Sequence, residues 1–164
     1  MFKGTFFGNN LCMKSTVFLS IFIFVFCLFA NDNFYFNDTL KSFNLGTYSI
    51  FYDSKIDDIE SDGFIDSNGL KIYSFKDIKK VRKNWSKNAM CEQVVMQKND
   101  IDKYIKNNDF ELVRDEVFEG INIQYFLCKK LPKRKQINGV VFNIVIAKRP
   151  DNIIVGYPSI MGSL

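Results

Sequence analysis

An uncharged, almost wholly apolar run from Val17 to Phe29, broken only by Ser20, sets the first limit on what this chain can fold into. Lys14 precedes the run, and Ala30, Asn31 and Asp32 follow it. A positive flank, about 7–15 apolar residues and a small residue at the end describe an export signal. A helix that crosses the hydrocarbon core needs about 20 apolar residues, so residues 16–30 are short for a permanent span. Residues 1–30 are therefore expected to be a signal peptide cut after Ala30, with an uncleaved N-terminal anchor as the alternative. Met13 opens a compact signal of its own and is a second candidate start. The folded part is expected outside the cytoplasm, periplasmic or secreted.

Taking 30 from 164 residues leaves 134, the size of one domain. Residues 31–45 are polar and aromatic without a period and read as a loosely ordered leader. Residues 46–164 read as a single domain. Lys3 and Lys14 leave with the signal and no acid does, so 20 cations face 18 acids, a net +2. That balance is too mild for a nucleic-acid binder, whose domain is usually strongly basic. Histidine is absent, which excludes Ser-His-Asp and Cys-His nucleophile systems and His-ligated metals. No cofactor motif and no catalytic set stands out.

Of four cysteines, Cys12 and Cys27 fall in the signal, leaving Cys91 and Cys128. An even pair in an oxidising compartment is expected to form a disulfide. Its loop closure would be worth about 4 kcal/mol on chain-entropy grounds. By alternation, however, Cys128 falls on the less apolar face of its strand.

The residue pattern predicts an α+β fold, a mainly antiparallel sheet crossed by one main amphipathic helix. Tyr48, Ile50 and Tyr52 share one face of a strand over 46–54, and residues 70–75 form a second strand. Turn signals stand at Asp62-Gly63 and Asn68-Gly69. Phe75, Ile78, Val81, Trp85 and Ala89 then recur at helical spacing, predicting a helix over about 76–90 with Trp85 in the core. Residues 92–97 read as a strand, and a second short helix over about 99–108, capped by Asn99, buries Ile101, Tyr104 and Ile105. Strands over 110–118 and 121–130 flank a tight turn at Glu119-Gly120. A basic loop follows at 131–139. Residues 139–149 are apolar on both faces, as a central strand should be, and Pro150-Asp151 turns the chain into a last strand.

Two segments invite a functional reading. Asp58, Glu60, Asp62 and Asp66 occupy calcium-loop positions around Gly63, but Gly69 stands where a bidentate Glu belongs. This weak candidate therefore reads better as a solvated acidic turn. Lys129, Lys130, Lys133, Arg134 and Lys135, with the lysine-rich face of the 76–87 segment, suggest an anion-binding surface. Its partner would be an anionic envelope polymer, a lipid phosphate or a protein. The expected activity is that of a non-catalytic envelope binding or assembly module. The alternatives are a small hydrolase using paired carboxylates, of which spacing singles out no pair, and a membrane-anchored part of a secretion or uptake machine.

Overall fold

The computed structural model describes residues 34–161 apart from Lys41 and Asn44. The signal or anchor at residues 1–30 lies outside the described residues. Among those described, no helix is long and apolar enough to cross a membrane.

Ten strands form: β1 (Leu45–Tyr52), β2 (Gly63–Ser67), β3 (Leu70–Phe75), β4 (Cys91–Met96), β5 (Glu111–Phe118), β6 (Ile121–Leu127), β7 (Lys135–Ile137), β8 (Val140–Phe142), β9 (Ile144–Lys148) and β10 (Ile153–Tyr157). Eight of them build one antiparallel sheet in the order β2-β3-β1-β4-β10-β9-β6-β5, and β7-β8 is a separate two-stranded ribbon. Three hairpins close through two-residue turns with both central residues at positive φ: Asn68-Gly69, Glu119-Gly120 and Asn138-Gly139. That backbone twist matches the twist of paired strands. β2 and β7 arise from stretches that read as turn and loop, because the Asn-Gly turn after each strand folds it back onto its partner.

The inner face of the sheet carries the main core. Tyr48, Ile50, Tyr73, Phe75, Val94, Met96, Phe126, Ile144, Ile146 and Val155 belong to it. Two helices, α1 (Lys83–Asn88) and α2 (Ile101–Asn107), contribute Trp85, Ile101 and Tyr104 to the same core. α2 runs on from a 3-10 turn at Lys98–Asp100. It occupies the span expected of the second helix, although Asn99 lies inside that turn and does not cap it. The outer face holds a smaller cluster of Ile123, Phe142 and Val145, with Ile121 and Tyr125 packed beside it.

The long helix over 76–90 does not form. Asp77 instead caps a 3-10 turn at Ile78–Lys80, Val81 and Arg82 are extended, and only the six residues of α1 are helical. The apolar stripe is still buried: Phe75, Val81, Trp85 and Ala89 all sit in the core, with Trp85 stacked on Phe75 at 5.6 Å. Like charges oppose its extension toward the N-terminus. Lys76–Lys80 and Lys79–Lys83 would each lie one helical turn apart, and every such pair costs a few tenths of a kcal/mol. A helix of that length is marginal without packing in its favour.

Described residues of the segment expected to be a loosely ordered leader pack into the core. Phe36 and Leu40 sit in the core on a 3-10 turn over Phe36–Leu40. Thr39 Oγ1 shares a 2.8 Å hydrogen bond with the Tyr104 hydroxyl.

The apolar run 139–149 is likewise two strands. Asn143, fully buried, separates β8 from β9. Its side chain accepts from Cys128 N at 2.7 Å and donates to Cys128 O and Leu131 O at 2.8 and 3.0 Å. A buried backbone turn needs its polar groups paired, and Asn143 pairs three of them at the root of the basic loop.

Candidate functional site

Tyrosines of the inner face set where the covering segments lie. Each ring fills the core while its hydroxyl reaches a polar partner, the usual compromise for a buried tyrosine. Tyr52 donates to Trp85 O at 2.6 Å and so holds α1. The Tyr73 hydroxyl donates to Ile56 O and accepts from Ile56 N, fixing the acidic loop. Tyr157 accepts from Lys133 N at 2.9 Å and holds the basic loop.

Lys133 then joins the two basic segments. Its ammonium turns inward and donates to Ser86 O at 3.0 Å and to Ala89 O. These carbonyls lie at the C-terminal end of α1, where a cation is favoured. Lys133 is thus removed from the expected anion-binding set by its own hydrogen bonds, but its position brings the 129–135 loop against the 76–89 segment.

Lys129, Lys130, Arg134 and Lys135 remain exposed. Lys135 donates to Ser159 Oγ at 2.9 Å, and Lys130 stands over the Phe34 ring at 5.8 Å. In the other segment Lys80 pairs with Asp62 at 2.8 Å and Lys83 with Asp38 at 3.4 Å. Arg82 lies over Trp85 at 5.4 Å.

Several cavities lie along the 78–85 segment, one of them lined by Asp58, Asn84 and Trp85. One of about 380 Å³ is lined by Asn37, Ile78, Lys79, Val81 and Lys83. A second, of about 310 Å³, is lined by Glu60, Ser61, Asp62, Lys80, Arg82 and Trp85.

The four acids of the calcium-loop candidate are not gathered. Asp62 accepts Lys80 Nζ and Lys76 N, both at 2.8 Å, and these bonds hold its carboxyl below the usual range. Asp66 sits in β2 and pairs with Lys71 at 2.6 Å. Asp58 and Glu60 line different cavities. Among the described residues no cluster of three or more acids or cysteines could hold a metal ion.

The expected disulfide is not formed. Cys91 and Cys128 are both free and buried. Cys91 lies on β4 opposite Phe51, facing away from Val94 and Met96, and its thiol donates to Ser159 O. Cys128 packs into the inner core. Between them stand β10 and β9, so β4 and β6 are three strand spacings apart, about 14 Å along the sheet. A bridge needs Cα atoms within about 7 Å and converging Cβ vectors. Burial pushes the Cys91 thiol up to about 12, so it is protonated and inert at neutral pH.

Beneath the basic side lies a polar group that sequence reading missed. Glu92 is completely buried. Tyr48 donates to its Oε2, Ser86 donates to the same oxygen at 2.7 Å, and Oε1 has no partner. Burial raises its pKa, and the Tyr48 and Ser86 bonds and the nearby Lys133 charge offset this only in part. Burial lowers the pKa of Lys133, with Glu92 and Cys91 opposing. The clue in the sequence was parity: Glu92 alternates in register with Val94 and Met96, the apolar face of its strand. Among the described residues, no second carboxylate acts on it.

Chemically, the exposed cations can meet an anion, and the buried acid beneath them can hold a proton. Comparison with known proteins returns no match: no family model, no curated protein and no solved structure is significantly similar to this chain.

Proposed function

We propose that this is a small exported, non-catalytic envelope module that holds an anionic partner against its basic side. The observation that carries the reading is the contact of Lys133 with Ser86 O and Ala89 O, which brings together two cationic segments separated by 47 and 44 residues at those contacts. Lys129, Lys130 and Arg134 are exposed there, and no acidic side chain pairs with them among the described residues. A paired-carboxylate hydrolase has less to rest on, since the buried acid Glu92 is acted on by Tyr48, Ser86 and Lys133 rather than by another acid.

Binding of the purified protein to polyphosphate and to vesicles containing phosphatidylglycerol tests the reading. Exposed charges beyond about 8 Å are screened at physiological salt, so binding should fall steeply between low and moderate salt. Lys129→Ser, Lys130→Ser and Arg134→Ser together should weaken it with little change in melting temperature, because exposed charges stabilise little. Undiminished binding by that variant, or none by the parent at low salt, rejects the proposal. Export has its own test. Residues 1–35, or 13–35, fused to a reporter active only outside the cytoplasm should yield activity, and N-terminal sequencing should begin near Asn31. A start upstream of that would favour the anchored form.

A further inference from the structure

The cavity beside the 36–40 turn has a chemistry of its own. Ile78 and Val81 supply apolar lining, and Lys79 and Lys83 supply cations. Lys83 is engaged by Asp38 at 3.4 Å and lies 5.7 Å from the Tyr35 ring centre. The Lys79 ammonium has no ion-pair partner among the described residues. Asn37, only 5% exposed, lines the same cavity, and its buried Oδ1 has no hydrogen-bond partner. An unpaired buried polar atom is destabilising, so a ligand that pairs it recovers that cost. At about 380 Å³ the cavity falls within the range of small-molecule sites, about 300–1,000 Å³.

These features narrow the ligand. Inorganic phosphate would meet Lys79 but leave Ile78 and Val81 uncovered. A fatty acid would cover them but bring no donor to Asn37. A free amino acid has a donor, but as an ammonium, which Lys79 and Lys83 repel. A sugar with one anionic substituent satisfies all three demands: an apolar ring face, a hydroxyl and a charge. A hydroxyl both donates and accepts, so it serves Asn37 whichever way the amide is turned.

We propose that the cavity lined by Asn37, Ile78, Lys79 and Val81 binds a single anionic sugar unit, phosphorylated or carboxylated. The inference rests on the anionic-partner reading and gives that partner's repeating chemistry. The cavity holds one ring while the exposed cations hold the rest of a polymer.

The experiment uses the purified protein with glucose 6-phosphate and glucuronate as probes, against glucose and inorganic phosphate as controls. Calorimetry gives affinities, and methyl and side-chain amide NMR signals of Ile78, Val81 and Asn37 report the place. At least one anionic sugar should bind about tenfold tighter than glucose or phosphate, the equivalent of ~1.4 kcal/mol, and shift those signals. Lys79→Gln and Asn37→Ala should each weaken it about tenfold. Lys79 is exposed, so its variant keeps the test valid if the Asn37 variant does not fold. Phosphate binding as tightly as both sugars, unmoved methyl signals, or full affinity in Lys79→Gln overturns the site. If polyphosphate binding persists in that event, the basic-side reading stands without the pocket. Loss of both removes both.

Discussion

Glu92→Gln isolates the buried acid beneath the basic side. Glutamine has nearly the same shape, and its carbonyl can accept from Tyr48 and Ser86 as Glu92 Oε2 does. The acid's folded pKa is raised by burial above an unfolded value of about 4.3. Between those two values the folded state holds up to one proton more than the unfolded state. Stability from this site is therefore fully present below the unfolded pKa and is lost as pH rises through the folded one. The slope within that window is at most about 1.4 kcal/mol per pH unit, the limit for one proton. An amide does not titrate, so the variant lacks this slope. At pH 4 the two proteins should differ by less than about 1 kcal/mol, the scale of one exchanged neutral hydrogen bond. As pH rises above the unfolded pKa, the variant should gain on the parent, and the gain should level off once the folded acid has ionised. Asp62, Asp115 and Glu116, held low chiefly by their hydrogen bonds, are common to both proteins and cancel in the difference, whereas Lys133, held low by burial and opposed by Glu92, is coupled to the replaced acid and shifts further down in the variant. The assay is urea denaturation from pH 4 to 8, followed by the fluorescence of Trp85, the single tryptophan. Parallel stability curves across that range, or a variant less stable by more than about 2 kcal/mol at neutral pH, would refute the reasoning.

Further outcomes follow from particular contacts. Asn143→Ala should cost about 3 kcal/mol in denaturant melts, because it strands three buried backbone groups at ~1–3 kcal/mol each with partial relief by water. Gly156→Ala drives a Cβ into Ser159 O and to 2.6 Å from Ser159 C, so the backbone must move. It should lower stability by about 1–3 kcal/mol in denaturant melts. Glu119 holds a φ of +50° in its hairpin turn, a conformation Asn adopts more readily. Glu119→Asn should raise the melting temperature by a few degrees, corresponding to about 1 kcal/mol, and an unchanged melt would count against strain there. In the denatured protein cut after Ala30, which keeps only Cys91 and Cys128, two thiols should react at once without reductant, and none if the two are bridged.

Local chemistry made much of this fold legible. Alternation in 45–52, 70–75, 91–96 and 121–127 reports which face of a strand is apolar, and that depends only on neighbours two residues apart. Glycine after Asn68 and Glu119 marks tight turns because a positive φ is a property of the residue itself. The stripe of Phe75, Val81, Trp85 and Ala89 likewise revealed what is buried. What it could not reveal was the backbone that buries it, since the repulsion among the lysines and the pull of Tyr52 on Trp85 O compete over that segment. The pairing of β10 between β4 and β9 decided everything that depends on distance through space. It held Cys91 away from Cys128 and buried Glu92 opposite Tyr157. The Tyr157 hydroxyl in turn holds the backbone of Lys133, whose ammonium points at α1 and not at solvent. Sequence periodicity carries the face of each residue but not its partner, because the partner is chosen by contacts made across scores of residues.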